Sequence, residues 1–146
     1  MSSHDQLCHN EFSTDRRTFA WDVRVRYDEC DPMGFVHHSN FLRYLELGRT
    51  EFLRAAGGCY RKIELGGLLI VVVSANQRFR SPAKYDDVLT ILTTVAQVTT
   101  VKIMHEYRII RREADGSTTL IASAELTLAM LNRDGKIQPI PAALRI

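Results

Sequence analysis

The 146-residue chain lacks the features that mark several classes of protein. No apolar run reaches the roughly 18 residues that a membrane-spanning helix needs, and the first 17 residues are polar, without the apolar segment of a secretory signal. Its 19 basic and 17 acidic residues are interleaved, so the overall charge pattern of a nucleic-acid-binding protein is missing, although a local basic patch is still compatible with the sequence. We therefore predict a cytoplasmic protein with no membrane span and no nucleic-acid partner.

Cysteine is scarce, and its positions exclude further kinds of site. Cys8, Cys30 and Cys59 are odd in number and irregular in spacing, which fits neither a disulfide framework nor paired zinc ligands. His37 and His38 lack the spacing of zinc-binding histidines, and on an extended backbone they would point to opposite sides. The glycine pairs of the chain are too short for a phosphate-binding loop. We expect a reducing compartment, no metal and no separate cofactor.

The chain changes its hydrophobic period once near the start. Alternation from Phe19 to Tyr27 predicts a half-buried strand, with Tyr27 at the end of its apolar face. Helical spacing from Ser39 to Ala56 follows, with Ser39 available as the N-cap and Gly57 as the left-handed stop. Because Leu42 and Leu53 widen the apolar face, we expect a central helix with protein on more than one side.

The remainder of the chain is rich in strands. The predicted strands are Leu68–Phe79, Val88–Val98, Val101–Arg112, Thr118–Leu131 and a short closing segment. The first of these begins with a continuous apolar run, which predicts burial on both faces there. Short turns between consecutive strands predict an α+β fold with a mostly antiparallel sheet against one helix. We expect a single domain over residues 18–146, preceded by a flexible tail over residues 1–17.

Polar groups are concentrated between the first strand and the helix. Asp31 precedes the helix start, where unpaired N–H groups and the helix dipole favour an anion. It could act as a nucleophile or general base, or be only a turn residue in Asp-Pro-Met-Gly. His38, at the helix start, could assist a substrate carbonyl or a water, or be a surface histidine. The residue types alone leave both alternatives open.

Three other residues also have a chemical and a structural interpretation. Tyr27 could contact a substrate, although packing is the default role of an aromatic residue at a strand end. Cys30 could be a nucleophile with His38 as its base, but no third group is available to orient the pair. His105 lies on the apolar face of its strand, which favours a core or interface histidine.

Two segments resemble the signature of a known family. The run from Arg26 to Tyr44 has an aromatic residue, polar residues, Asp31, a small turn with Gly34, then Val36 and an asparagine before a long helix. This order resembles hot-dog fold acyl-CoA thioesterases of the 4-hydroxybenzoyl-CoA thioesterase and YbgC-like group. The segment from Phe79 to Asp87 resembles the strand-to-turn segment of the same group. The resemblance covers the chain from about Phe19 onward.

The resemblance implies a fold, an assembly and a set of site residues. The fold is a hot-dog fold, with five or six antiparallel strands wrapped around one long central helix. Two protomers join their sheets edge to edge, giving a homodimer or homotetramer. The family's catalytic aspartate falls on Asp31, its active-site tyrosine on Tyr27 and its histidine on His38, whose backbone N–H matches the carbonyl-polarising donor. Gly34 and Val36, in the turn of the signature, are the expected substrate-binding residues.

The implied activity is hydrolysis of an acyl-CoA or aroyl-CoA thioester, with coenzyme A as part of the substrate. Asp31 would attack the carbonyl or activate water, and a thiolate leaves without much help from an acid. Pro32 follows the benzoyl-type branch and His38 the YbgC-like branch, so the acyl group is not specified. An acyl-carrier-protein thioesterase and a non-catalytic acyl-CoA-sensing module are the alternatives. Arg78, Arg80 and Lys84 could hold phosphates or be solvated charges at a strand edge.

Overall fold

Six strands and two helices make up the part of the chain that the computed structural model describes, residues 12–15 and 17–145. In chain order they are β1 (Thr18–Arg24), α1 (Ser39–Ala55), α2 (Tyr60–Leu65), β2 (Leu68–Phe79), β3 (Val88–Val98), β4 (Lys102–Arg112), β5 (Thr118–Asn132) and β6 (Ile137–Gln138). Single 3-10 turns cover Tyr27–Glu29 and Ala142–Leu144. Within these ranges no helix combines the length and the apolar character needed to span a membrane.

The strands form one antiparallel sheet in the order β1-β3-β4-β5-β2, with β6 also paired to β5. The hairpins joining β4 to β5 and β5 to β6 each contain a glycine with positive φ, Gly116 at 86° and Gly135 at 77°. Both follow an aspartate, as a tight hairpin turn favours. The predicted α+β fold with a six-stranded antiparallel sheet is confirmed.

Helix α1 packs one face against the sheet. Tyr44, Leu45 and Phe52 are each no more than 3% exposed on this face. At Gly48 a Cβ atom would lie 2.7 Å from the side chain of Ile91, so the glycine allows the helix to approach β3 closely. Leu42 remains 43% exposed, so within the single chain α1 is not covered on the side where that residue lies.

Strand β2 differs from its prediction. Burial on both faces was expected at its start, yet Leu69, Val72 and Val73 are 39%, 48% and 54% exposed. The physical reason is position: β2 is the last strand in the sheet order and pairs only with β5. The apolar run therefore lies on an edge strand, where Leu68 and Ile70 pack against the core and the exposed residues are left without cover in the single chain.

The first strand and the N-terminal segment also differ from expectation. β1 ends at Arg24, because the chain then enters the 3-10 turn that contains Tyr27. The predicted flexible tail falls mostly outside the described residues. At its described end, Phe12 pairs with Phe19 and packs against it with ring centroids 4.9 Å apart, and Ser13 is 7% exposed. Packing against the domain therefore extends to Phe12 at least.

Candidate active site

Asp31 lies in a tight turn that its own carboxylate closes. Its Oδ1 accepts the backbone N–H groups of Met33 at 2.9 Å and Phe35 at 3.2 Å. Gly34 provides the positive φ of 85° that this turn requires, and its N–H donates to the Asp31 carbonyl at 2.9 Å. The Oδ2 atom has no hydrogen-bond partner within residues 12–15 and 17–145. The turn thus fixes one carboxylate oxygen and leaves the other available.

Glu29 ties this turn to the helix start. Its carboxylate accepts the N–H of Arg26 at 2.7 Å and the hydroxyl of Tyr44 at 3.0 Å. Its backbone carbonyl accepts the N–H of His37 at 2.9 Å and the side-chain amide of Asn40 at 2.8 Å. Burial, together with the hydrogen bond to Glu29, raises the pKa of Tyr44, so its hydroxyl remains a donor. Sequence reasoning did not find this anchor, because its partners are spread over two elements.

The two histidines at the helix start stack instead of diverging. Their ring centroids are 4.1 Å apart, because His38 has helical φ and ψ of −55° and −29°, where an extended backbone was expected. Ser39 is the first residue of α1 and His38 its N-cap, so the expected N-cap role of Ser39 is wrong; the N–H of Ser39 donates to His37 Nδ1 at 3.2 Å. The backbone N–H of His38 donates to no acceptor among the described residues. It is an unpaired donor at the start of α1.

A cavity of about 360 Å³ opens beside this donor. Asp31, Val36 and His38 all lie on its lining. The remaining lining residues are mostly apolar: Met33, Phe35, Phe41, Phe79, Arg80, Ser81, Pro82 and Ala83. The His38 ring lies opposite Phe79, with centroids 6.4 Å apart. The structure therefore brings three of the five predicted site residues to one largely apolar cavity with a carboxylate at its edge.

Tyr27 and Gly34 do not line this cavity in the described chain. Tyr27 is 81% exposed and packs edge-on against Tyr85, with ring centroids 5.5 Å apart. Its expected place on the apolar face of β1 is wrong, since the chain turns after Arg24. Gly34 acts on the site through the backbone of the turn. A catalytic role for Tyr27 and substrate contact by Gly34 stay predictions.

The opposite side of the cavity comes from residues 80–87, which follow β2 and are here called the site loop. The carbonyl of Ala83 accepts the N–H of Val36 at 2.8 Å, and Phe35 forms a β-bridge with Lys84. Arg80 also lines the cavity, and its side chain has no ion-pair partner among the described residues. Arg80 was only one of several basic candidates in the sequence, and its neighbours in the chain gave no reason to choose it.

The other chemical candidates lie outside the cavity. Burial raises the pKa of the Cys30 thiol, and the side chain packs against the hydrophobic core. A protonated thiol is a poor nucleophile, which disfavours the cysteine mechanism. His105 is 5% exposed, burial lowers its pKa to about 4, and its Nδ1 lies 3.1 Å from the Tyr107 hydroxyl, as befits a core histidine. Within the described ranges no cluster of three potential metal ligands occurs.

The fold and the site define a class of protein. A six-stranded antiparallel sheet against one long helix, with an aspartate turn at the helix start, is the arrangement of hot-dog thioesterases. The chain belongs to the thioesterase-like superfamily, whose family model matches residues 25–146.

Individual relatives agree with this assignment. A putative esterase from Aquifex aeolicus is 32% identical over 84% of this chain and 91% of the relative. The acyl-CoA thioesterase YbgC of Haemophilus influenzae is 31% identical over 84% of this chain and 86% of the relative. A solved structure of a 4-hydroxybenzoyl-CoA thioesterase mutant complexed with 4-hydroxybenzoyl-CoA matches with a TM-score of 0.81 at 25% identity, over 86% and 94% of the two chains. The hot-dog fold is thereby confirmed.

Proposed function

We propose that the protein hydrolyses acyl-CoA or aroyl-CoA thioesters to the free acid and coenzyme A. Its family and its named relatives support thioester hydrolysis. One observation carries the proposal at the level of the site. The unpaired Oδ2 of Asp31 and the unpaired N–H of His38 belong to residues that line the same cavity. A reactive carboxylate and a donor for the carbonyl oxygen are the two groups that this reaction needs.

The proposed mechanism divides the work between these groups. The thioester carbonyl oxygen accepts the N–H of His38, at a helix start whose dipole stabilises the negative charge that develops there. Loss of one such donor costs about 2.7 to 4 kcal/mol of transition-state stabilisation in other enzymes. The two hydrogen bonds to Oδ1 hold the Asp31 carboxylate in place while Oδ2 reacts.

Asp31 can act by either of two routes. As a nucleophile, Oδ2 bonds to the carbonyl carbon, the carbon–sulfur bond breaks and the coenzyme A thiolate leaves. Water then hydrolyses the resulting anhydride and restores the carboxylate. As a general base, Oδ2 takes a proton from a water that attacks the carbonyl carbon. Both routes give the same acid and thiol, and a thiolate leaves without a strong general acid.

The proposal includes the anionic part of the substrate. Arg80 offers a guanidinium at the cavity without a partner among the described residues. Guanidinium groups bind phosphate oxygens well, and coenzyme A carries phosphates that the cavity itself does not neutralise. We assign Arg80 as a contact to a substrate phosphate. Acyl-carrier protein also bears a phosphate, on the prosthetic group that holds the acyl chain, so carrier-linked substrates belong in the test.

We further propose that the protein works as a homodimer or homotetramer in the cytoplasm. Strand β2 is an outer strand of the sheet and exposes Leu69, Val72 and Val73. An exposed apolar edge strand is a template for pairing with another chain. A second copy paired along β2 would cover these side chains. Light scattering of the purified protein would report the assembly, and a strict monomer would contradict this part of the proposal.

The deciding experiment measures thiol release from a panel of acyl-CoA and aroyl-CoA substrates by the native protein. The same acyl groups are presented on acyl-carrier protein and on coenzyme A in parallel. Cleavage of at least one coenzyme A thioester, in preference to its carrier-linked form, supports the proposal. Preference for the carrier-linked form would make the protein a carrier thioesterase. A folded protein that binds acyl-CoA without cleaving it would be a sensing module.

A further inference from the structure

Part of the site loop lies between two depressions in the surface and lines both of them. Ser81 and Pro82 line the candidate active-site cavity on one side. The same two residues line a second depression of about 690 Å³ on the other side, which Asp87 and Arg111 also line. Pro82 is exposed and Ser81 is half-buried, so packing contributes little at these two residues. Their position depends largely on directed contacts, of which one is the hydrogen bond from the Ser81 N–H to the Ile121 carbonyl on β5 at 3.1 Å.

Arg111 on β4 supplies such contacts from behind the loop. Its Nη1 donates to the carbonyl of Pro82 at 3.1 Å and lies 3.0 Å from Asp87 Oδ2. Its Nε donates to Glu113 Oε1 at 2.8 Å, which orients the guanidinium. The Arg111 side chain is only 25% exposed, so these charged hydrogen bonds are partly shielded from water. Asp87 Oδ2 also accepts the N–H of Lys84 at 2.9 Å, which closes the loop on itself.

The loop passes this restraint to the Asp31 turn through the backbone. Next to Pro82, the carbonyl of Ala83 accepts the N–H of Val36 at 2.8 Å. Phe35, the neighbour of Val36, donates its N–H to Asp31 Oδ1 and accepts the N–H of Asp31 at 2.8 Å. Hydrogen bonds and two peptide links thus connect Arg111 to the carboxylate.

We propose that Arg111 is a positioning residue for the reaction, because it fixes the site loop and through it the Asp31 carboxylate. This inference rests on the proposed thioesterase function. Arg111 touches no substrate: it does not line the candidate active-site cavity. A displacement of about 1 Å at a reacting group can cost on the order of 100-fold in rate, so a remote restraint of this kind affects catalysis.

Arg24 provides a matched control on the same loop. Its Nη1 donates to the carbonyl of Asp86 at 3.1 Å and to Asp86 Oδ1 at 3.2 Å, so it makes the same two kinds of contact as Arg111. Its side chain is 63% exposed and that of Asp86 60%, and Asp86 does not line the active-site cavity. Loss of Arg24 on β1 therefore removes an arginine contact to the loop without releasing the residues that line the site.

The test compares Arg111→Gln, Arg111→Lys and Arg24→Gln with the native protein on one coenzyme A thioester. We expect Arg111→Gln to lower kcat about 10-fold or more, with a smaller change in KM, because the fault lies in placement of the reacting group. Arg111→Lys retains a charge near Pro82 and Asp87 and recovers part of the rate. Arg24→Gln keeps the native kcat and KM. Circular dichroism and thermal melting establish the folded fraction of each variant.

The outcomes separate this inference from the proposed function. Native kcat in folded Arg111→Gln overturns the positioning role and leaves thioester hydrolysis intact. An equal loss of kcat in Arg24→Gln also overturns the positioning role, because the effect would then not be specific to the contact that Arg111 makes. If Arg111→Gln does not fold, Arg111→Lys and Asp87→Asn decide the matter, and native kcat in both overturns the proposal. A native protein that cleaves no thioester overturns the function and this inference together.

Discussion

The two sides of the candidate active site are held in different ways. The turn that carries Asp31 is held by its own backbone, with bonds that reach no further than four residues along the chain. The site loop is held by distant parts of the chain, through backbone hydrogen bonds to Ile121 on β5 and to Val25, and through the side chains of Arg24 and Arg111. The Asp31 carboxylate therefore lies on a turn that short-range bonds close. The wall that faces it depends on the assembled sheet.

This difference implies that the turn serves the chemical step and the loop serves substrate binding. A locally closed turn keeps the Asp31 carboxylate in one geometry, which is what a preorganised site requires. A loop between two open depressions can vary in sequence without disturbing that geometry, provided its anchors remain. We expect substitutions in the turn to affect the rate of the chemical step. Substitutions in the loop should mainly change substrate binding. Loss of Arg111, which anchors the loop from β4, should instead affect the rate.

The largest effect that tests this division without altering the carboxylate comes from His38→Pro. The φ of −55° at His38 suits proline, and the substitution removes a backbone N–H that has no acceptor among the described residues. His38→Ala removes only the imidazole. We expect His38→Pro to lower kcat about 100-fold or more below His38→Ala, since a donor to the carbonyl oxygen is lost. Equal rates in the two folded variants would remove the N–H from the mechanism.

A smaller effect is expected from Gly34→Ala. The φ of 85° disfavours any side chain, although no atom lies within 4 Å of the added Cβ. The conformational cost is about 1 kcal/mol of unfolding free energy, and the strained turn should also lower kcat. Gly116→Ala is the control: its φ is 86°, it is equally open, and it lies in the hairpin between β4 and β5. Urea titration and thiol release would contradict us if both variants lost activity equally.

On the loop side we expect a change in binding from Arg80→Gln. Arg80 lines the active-site cavity, whereas Arg78 lines a depression with Glu106 and Glu125 on the sheet. Arg80→Gln should raise KM for a coenzyme A thioester several-fold with little change in kcat, since a charged contact from an exposed side chain is worth about 1 kcal/mol or less. Arg78→Gln changes net charge equally and should leave KM unchanged.

A comparison of two thioesters checks the assignment of Arg80 to a phosphate. A pantetheine thioester with the same acyl group lacks the nucleotide phosphates, and its KM should be the same for the native protein and Arg80→Gln. If Arg80→Gln raised KM for both thioesters alike, the guanidinium would act on the acyl part of the substrate instead.

The smallest effect is expected from Arg24→Gln on stability. The ion pair between Arg24 and Asp86 is largely exposed, and such pairs contribute about 0 to 1 kcal/mol. Thermal melting should show a shift near the limit of detection at moderate salt. A large loss of stability would mean that the outer contact of the site loop matters more for folding than its exposure implies.

The same division explains what could be predicted from the sequence. The Asp-Pro-Met-Gly turn, the helix start and the strand order follow from local pattern, which placed Asp31 and His38 near one another, and the family resemblance added Val36. The loop side could not be found in this way. Arg80 and Arg111 reach the site only through β2 and β4, and no spacing in the chain reports that pairing.

The wrong predictions also have physical reasons. Tyr27 was assigned to a continuing strand, but the Glu29 carboxylate binds the N–H of Arg26 and turns the chain. The short helix α2 was not predicted, because six residues give too few turns for a hydrophobic period to appear. The start of β2 was expected to be buried within the chain because it is a continuous apolar run. Such a run has the same sequence pattern whether its cover comes from the same chain or from another one.

The central claim is that the Asp31 carboxylate carries the chemistry, and Asp31→Asn tests it most directly. Asparagine keeps an oxygen that can accept the N–H groups of Met33 and Phe35, so the turn should persist while the reactive carboxylate is lost. We predict that thiol release from a coenzyme A thioester falls at least about 100-fold, with an unchanged melting temperature and retained substrate binding. A folded Asp31→Asn variant that released thiol at close to the native rate would contradict the account.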